Sequence, residues 1–198
     1  MRAFVAIELP NAVQTRLSEL IRMLRTTPAR ARWVPVDKIH LTLVFLGRID
    51  AARAEDIAAR LRAVCAPRAP LPIVIEGVGA FPNLRAPRVI WAGIRTNPAL
   101  NDLQEAAARE AEAIGVPREP RPFQGHLTLA RLRDPGAARP LLPALQAARD
   151  YKGGAFEASG VSLFESRLSP AGAEYRRIEA FPFEGNAAHP DRLSSTWI

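Results

Sequence analysis

The sequence contains a single cysteine, Cys65, among its 198 residues. One cysteine excludes an intramolecular disulfide and any metal site built from several thiolates, and we expect Cys65 to be a small buried apolar side chain. No apolar run approaches the roughly 20 residues that span a bilayer. The first apolar run passes into Glu8 and Pro10 without the small-residue cleavage site of a signal peptide. We therefore expect a cytoplasmic protein that does not associate with membranes.

Acidic residues are scarce relative to basic ones. The chain has 20 Asp and Glu against 27 Lys and Arg, which gives a net charge of +7 and an isoelectric point near 10.8. This excess favours an anionic partner such as nucleic acid. An Arg-rich and Ala-rich composition can equally reflect codon usage, so the charge alone leaves both explanations open.

Histidine occurs only three times, and two of the three stand in identical tetrapeptides, HLTL at 40–43 and at 126–129. On a β-strand, His and Thr at positions i and i+2 share one face while the leucines occupy the other. Each copy therefore predicts one imidazole and one hydroxyl side by side on a sheet. The third histidine, His189, has no Thr at i+2 and lies in a polar tail, so we expect no catalytic part for it.

The predicted elements repeat with a fixed offset. The two HLTL histidines are 86 positions apart (126 − 40), and two asparagines that can cap helices, Asn11 and Asn97, are also 86 apart (97 − 11). The opening strand at Ala3 maps by this offset to Val89, inside another predicted strand. Each half reads strand, helix, HLTL strand, helix, strand, and one extra strand follows.

This repetition predicts an α+β fold of two pseudo-symmetric lobes. Each lobe is expected to be an antiparallel sheet with helices packed on its outer face, with the active-site cleft between the lobes. We predict a single bilobal domain over residues 1–183, made of two interleaved pseudo-repeats, and a polar C-terminal tail over 184–198. The last two strands are predicted at 155–168 and 174–181.

Three roles compete for the paired histidines. Each can be a structural residue, yet the matched Thr partners disfavour that role. A zinc site normally needs three or four ligands, and neither motif has Cys, Asp or Glu beside it. Paired acid–base catalysis fits better, because in-line displacement at phosphorus needs groups on opposite sides of the atom. One imidazole then deprotonates water, the other protonates the leaving oxygen, and the Thr hydroxyls steady the phosphoryl oxygens.

The two motifs and their flanks resemble the 2H phosphoesterase superfamily, and most closely its RNA 2′,3′-cyclic phosphodiesterases, formerly called 2′-5′ RNA ligases. The resemblance covers about residues 2–181. It is carried by RAFVAI at 2–7, HLTLVFLG at 40–47, GAFP at 79–82, RVIWAG at 88–93, RPF at 121–123, HLTLAR at 126–131 and LFES at 163–166, with Gly172 and Tyr175. Gly125 departs from the family, which usually has proline before the second histidine. This departure is expected to loosen the strand entry without removing a catalytic group.

The resemblance implies hydrolysis of RNA 2′,3′-cyclic phosphate ends to 2′-phosphates in a basic cleft, without metal or cofactor. It implies that His40 is the proton donor to the leaving 3′ oxygen, that His126 is the acceptor from water, and that Thr42 and Thr128 bind the phosphate. The identical motifs by themselves do not assign the two histidine roles. Ligation in the reverse direction and a non-catalytic RNA-binding module are the alternatives, and we expect a monomer.

Two further residues have two possible roles each, and two more are expected in the core. Strict strand alternation places Arg131 on the face opposite His126, so it is either structural or a phosphate ligand brought round by strand twist. Phe81 ends a predicted strand and is either a core aromatic or a stacking surface for a base. Tyr175 and Trp91 are expected in the core.

Overall fold

The computed structural model describes residues 1–169 and 172–185, and the predicted α+β class is confirmed. The residues beyond 185, which include most of the predicted tail and His189, lie outside the described part. The strands are β1 Arg2–Ile7, β2 Arg32–Trp33, β3 Leu41–Arg48, β4 Leu71–Phe81, β5 Val89–Ile94, β6 His126–Arg131, β7 Lys152–Ala158, β8 Gly160–Ser169 and β9 Gly172–Pro182. The helices are α1 Asn11–Leu24, α2 Ala51–Cys65, α3 Pro98–Ala113 and α4 Leu142–Ala147.

The strands form one antiparallel sheet that divides naturally into two halves. Its order is β7-β4-β5-β6-β3-β1-β8-β9, with β2 beside β6. The two HLTL strands, β3 and β6, are joined only by the pair Leu41–Leu127. We call β3, β1, β8 and β9 lobe A, and we call β6, β5, β4, β7 and β2 lobe B. The predicted two-lobe arrangement is confirmed.

The chain crosses between the lobes near Ser159, and this overturns one prediction. The single strand predicted at 155–168 is two strands, because β7 pairs with β4 in lobe B while β8 pairs with β1 in lobe A. The backbone of Ser159 leaves the ladder there, and its carbonyl accepts a hydrogen bond from the Phe183 N–H at 2.7 Å. Apolar residues stand at even positions before this point, Phe156 and Ala158, and at odd positions after it, Val161 and Leu163. The Ser159-Gly160 dipeptide thus marks a break that the prediction of a single strand overlooked.

Of the two asparagines predicted to cap helices, one occupies the cap position and the other does not. The Asn97 side chain accepts from the N–H of Ala99 at 3.0 Å and caps α3, as predicted. Asn11 was predicted to cap α1, but this is wrong: Pro10 occupies the cap position and Asn11 is the first helical residue. The 86-residue spacing of the two asparagines is therefore not a structural equivalence.

The leucines of both motifs are buried in the core on the helix-covered face of the sheet. Leu41, Leu127 and Leu129 are completely buried, and Leu43 nearly so. Helix α3 packs on β3, α2 on β9 and α1 on β7. The helices thus cover one face and leave the His–Thr face uncovered.

Cys65 lies in this core and is completely buried, as predicted. Desolvation raises the pKa of its thiol to about 11, so the thiolate required of a nucleophile is suppressed. Within residues 1–169 and 172–185, no helix has the length and apolarity to cross a bilayer.

Candidate active site

The Leu41–Leu127 pair sets the geometry of the site. In an antiparallel ladder the neighbours of a paired position also face each other, which sets His40 opposite Thr128 and Thr42 opposite His126. All four side chains project from the face that the leucines leave free. Directly opposed residues have Cβ atoms about 5 Å apart, and diagonal neighbours remain within reach of long or aromatic side chains. His40 and His126 are diagonal neighbours in this register, and each lies beside a hydroxyl.

Each imidazole is held in the same way. Nδ1 of His40 lies 2.9 Å from the carbonyl oxygen of Lys38, and Nδ1 of His126 lies 2.8 Å from that of Gln124. A carbonyl only accepts, so Nδ1 carries the proton in both rings. Nε2 is then the nitrogen that can take up or release a proton, and the two histidines present the same tautomer.

The surroundings of His40 are aromatic. The ring of Phe4 stacks on the imidazole at 4.6 Å, and Tyr175 contacts it edge-on at 5.2 Å. Phe164 stacks behind Phe4 at 5.2 Å. Tyr175 was predicted in the core, but it is only half-buried and belongs to the wall of the site. Phe4, which positions His40 directly, was missed, although its alternation with Arg2 and Ala6 in β1 could have revealed it.

The surroundings of His126 are different. Phe81, half-buried at the end of β4, contacts the His126 ring edge-on at 4.9 Å and packs on Trp91 at 5.3 Å. Trp91 is partly buried rather than fully in the core, and it lies opposite Thr128. Its indole N–H is buried and has no hydrogen-bond partner in the described part of the chain. Phe81 is therefore both a wall of the site and a packing residue.

Burial lowers the pKa of both histidines, and the positive charge of Arg131 lowers both further. A charge on His126 also lowers the pKa of His40. The hydrogen bonds to the Lys38 and Gln124 carbonyls oppose this by favouring the protonated rings. Arg131 is thus close enough to act on both imidazoles.

Arg131 reaches this position through a β-bulge, which corrects the prediction from strict alternation. On β5, Ile90 and Trp91 are adjacent, but their partners on β6 are Ala130 and Thr128. The extra residue between them, Leu129, inverts the alternation beyond it. Ala130 is then buried beside Leu129, and exposed Arg131 returns to the face of His126 and Thr128.

The equivalent bulge occurs in the other motif. Val5 and Ala6 of β1 pair with Val44 and Thr42, so Leu43 is the extra residue in β3. The counterpart of Arg131 by the 86-residue offset is Phe45 (131 − 86), whose ring lies 6.4 Å from Phe4 and is 66% exposed. Sequence reasoning missed Phe45, because alternation without the bulge assigns it to the other face.

Gly125 does not loosen the strand entry as expected. Its carbonyl accepts a hydrogen bond from the Ile94 N–H at 3.1 Å, which extends the pairing of β5 and β6 by one step. A Cβ at this position would meet the Cβ of Ile94 at 3.1 Å. The close approach of the Ile94 side chain explains why glycine fits here.

The arrangement suits proton transfer around an anion. It offers two imidazole Nε2 atoms and two hydroxyls on one face, with the Arg131 guanidinium beside them and Arg32 directly opposite Arg131 in the ladder of β2 and β6. The Arg131 side chain has no ion-pair partner in the described residues. Among those residues no three His, Cys, Asp or Glu side chains converge as a metal-ligand set.

Comparison with known proteins identifies the class. The profile of the LigT-like phosphoesterases matches residues 7–91 and 94–175. A curated RNA 2′,3′-cyclic phosphodiesterase of Methanothermobacter thermautotrophicus is 30% identical over 181 residues, which are 91% of this chain and 98% of that protein. One from Thermus thermophilus is 32% identical over 192 residues, 93% of this chain and 91% of that protein.

Solved structures agree with this match. A crystal structure of a Thermus thermophilus protein superposes with a TM-score of 0.79 at 30% identity and covers 94% of this chain and all of that one. Escherichia coli LigT, with a TM-score of 0.71 at 22% identity over 92% of this chain and 97% of that one, shares the fold. The chain belongs to the LigT-like phosphoesterase family, within the 2H phosphoesterases. It is an enzyme, a phosphodiesterase, and the family predicted from its sequence is confirmed.

Proposed function

We propose that this enzyme hydrolyses the 2′,3′-cyclic phosphate at the end of an RNA strand to a 2′-phosphomonoester. The observation that carries the proposal is the matched pair of His–Thr sets about the Leu41–Leu127 pair, with Arg131 acting on both imidazoles. The curated relatives are named RNA 2′,3′-cyclic phosphodiesterases, which supports this substrate. Both histidines come from one chain, in keeping with a monomer that acts in the cytoplasm.

The proposed reaction needs one proton on each side of the phosphorus. His126 is neutral, and its unprotonated Nε2 accepts a proton from water as the water oxygen bonds to phosphorus. The bond from phosphorus to the 3′ oxygen breaks, and the protonated Nε2 of His40 gives that oxygen its proton. The products are a 3′-hydroxyl and a 2′-phosphate, and the two histidines have exchanged protonation states. Solvent then returns them to the starting state.

The non-bridging oxygens gain charge as water attacks. We assign their stabilisation to the hydroxyls of Thr42 and Thr128, which donate hydrogen bonds, and to the Arg131 guanidinium. Phe81, which is half-exposed beside His126, is the proposed stacking surface for the base. No step uses a metal ion, since two imidazoles supply both proton transfers.

The test is hydrolysis of 2′,3′-cyclic AMP and of a cyclic-ended oligoadenylate in the presence of EDTA, with the product identified by chromatography. We expect turnover that is insensitive to EDTA and a product that is the 2′-phosphate alone. Loss of turnover in EDTA that added Mg²⁺ or Zn²⁺ restores would contradict the metal-free mechanism. A 3′-phosphate product would contradict the proposed leaving group.

A further inference from the structure

Two arginines lie on the same sheet face as His40, further along lobe A. In the ladders of β1, Arg2 is paired with Arg48 on one side and with Ser166 on the other. Arg2 is two residues from Phe4, so it shares the face on which the Phe4 ring stacks against His40. Directly opposed residues share a face, which places Arg48 there too. We call Arg2 and Arg48 the arginine pair.

The position of Arg48 depends on a second bulge in β3. Ala3 and Phe4 pair with Gly47 and Phe45, so Leu46 is the extra residue. Leu46 is buried, whereas Phe45 and Arg48 on either side of it are exposed, as this register requires. The arginine pair is therefore separated from the Phe4–His40 stack by one same-face step of about 7 Å along β1.

The charge of the arginine pair is not compensated. Like charges directly opposed on a ladder destabilise a sheet, yet no ion pair among the described residues involves either arginine. The α-amino group of Met1 adds a third positive charge nearby, where it donates to the Ile49 carbonyl at 2.7 Å.

The carboxylates of the neighbouring segments are already engaged. Asp50 accepts from the N–H of Arg53 at 2.8 Å and caps α2. Glu165, on the opposite face of β8, forms ion pairs with Arg167 and Arg176. An anion supplied from outside would therefore relieve the repulsion within the arginine pair.

We propose that the arginine pair binds a phosphodiester of the RNA on the 5′ side of the nucleotide that carries the cyclic phosphate. This inference rests on the proposed function, since the end group at His40 and His126 fixes which part of the strand reaches lobe A. A cyclic mononucleotide has no phosphate there. The arginine pair thus selects strand ends over free cyclic nucleotides, by contacts that position the chain and do not read its sequence.

The first test compares two substrates in Arg2→Gln, Arg48→Gln and the double variant. For a cyclic-ended oligoadenylate we expect kcat/KM to fall on the order of 10-fold in the double variant, as for loss of charge-assisted contacts. For 2′,3′-cyclic AMP we expect less than about 2-fold change, since that substrate has no phosphate for these contacts to hold. Arg22→Gln, an exposed arginine on α1, is the matched control and should change neither.

Salt dependence adds an independent readout. Loss of one phosphate contact should make the plot of log(kcat/KM) against log[salt] shallower by about 0.7 for the oligonucleotide only. An equal loss on both substrates would overturn the inference, because the arginine pair would then act on the reacting centre. No loss on the oligonucleotide would also overturn it.

Binding measured without turnover separates this inference from the proposed function. The dissociation constant of a fluorescein-labelled oligoadenylate ending in a 2′-phosphate should rise in the double variant, whether or not cyclic phosphates are hydrolysed. Inorganic phosphate should compete only weakly. An unchanged dissociation constant, or inorganic phosphate held as tightly as the oligonucleotide, would contradict a site for the strand.

Discussion

The two HLTL copies are identical in sequence and share a bulge at their last leucine, yet lobe A and lobe B surround them differently. In lobe A, His40 is enclosed by Phe4 and Tyr175. In lobe B, His126 contacts one aromatic ring among the described residues, that of Phe81, and has a cation on its own strand. Chemical asymmetry between identical motifs thus comes from residues outside the tetrapeptides.

The bulges bring onto the site face the pair of equivalent residues that differs most between the lobes, Phe45 and Arg131. In both strands the last leucine of the motif, Leu43 in β3 and Leu129 in β6, is the extra residue of a bulge, and the bulge turns the residue two positions later onto the site face. That residue is an exposed phenylalanine in lobe A and an arginine in lobe B. The guanidinium that lowers the pKa of both imidazoles therefore comes from lobe B alone.

The difference bears on the proton donor. In the protein without substrate, burial, Arg131 and a charged His126 all lower the pKa of His40. In the proposed complex, a phosphodiester anion bound between Arg131 and His40 would offset the charge of Arg131 and favour protonation of His40. On this view His40 becomes an effective acid only when substrate is present.

The largest expected effects separate the two histidine roles. We expect His40→Ala and His126→Ala each to lower kcat on 2′,3′-cyclic AMP by roughly 10²–10⁴-fold. The leaving group of bis(4-nitrophenyl) phosphate departs without a proton. On this substrate the rate of His40→Ala should return most of the way to the wild-type rate, whereas that of His126→Ala should stay low. Steady-state rates on both substrates make the comparison.

Thermal melting is the control for those variants, because the His40 ring is part of an aromatic stack. If the activated ester restored the rate of His126→Ala and not that of His40→Ala, the assignment of acid and base would be reversed. Rates close to wild type in either variant would contradict paired-histidine catalysis altogether.

The hydroxyls come next in expected size. Thr42→Val and Thr128→Val remove a donor while keeping the shape, and each should lower kcat by roughly 10²-fold, as for one oxyanion donor. Thr→Ser at either position keeps the hydroxyl and should recover most of the activity. If valine and serine variants behaved alike, the hydroxyl would not be the functional group.

The charge of Arg131 is tested by pH dependence. Neutral His126 and protonated His40 are both required, so kcat/KM should describe a bell against pH. Arg131 lowers the pKa of both imidazoles. Removing its charge in Arg131→Gln therefore raises both, and both limbs of the bell should move to higher pH while its maximum falls.

Phe45→Leu is the matched variant in lobe A, since Phe45 occupies the equivalent position without charge. It should leave both limbs of the pH profile where they are in the wild type. Limbs that stay fixed or move to lower pH in Arg131→Gln would show that the guanidinium does not act on the imidazoles.

The sequence predicts the features that depend on neighbouring residues and misses those that depend on the pairing of strands. The fold class, the capping of α3 by Asn97 and the shared face of each His–Thr pair depend on local periodicity and local hydrogen bonds, and these are read directly from the chain. The positions of Arg131 and Phe45 depend on bulges at Leu43 and Leu129. Each of these leucines is followed directly by another apolar residue, Val44 or Ala130, and the sequence does not show which member of such a pair leaves the alternation.

The strand crossing at Ser159 is only partly visible in the sequence, because the change of apolar parity at Ser159-Gly160 marks a break but does not show that the chain changes lobe. It is set by which partner each side of the break finds, β4 or β1, and partner choice is a long-range property of the sheet. The aromatic walls around His40 come from β1 and β9, which are distant in sequence from the motif. Only the assembled sheet reveals that Phe4 and Tyr175 meet there.

The smallest expected effect concerns the aromatic wall that only lobe A possesses. The Tyr175 ring contacts His40 edge-on, and its hydroxyl makes no hydrogen bond within the described residues. Tyr175→Phe keeps the ring, so kcat/KM on 2′,3′-cyclic AMP should stay within about 2-fold of wild type, whereas Tyr175→Ala removes an aromatic contact worth about 0.5–1.5 kcal/mol. A loss in Tyr175→Phe comparable to that in Tyr175→Ala would assign the hydroxyl a direct role toward substrate. Parallel rates and melting temperatures for the two variants decide between packing against His40 and that role.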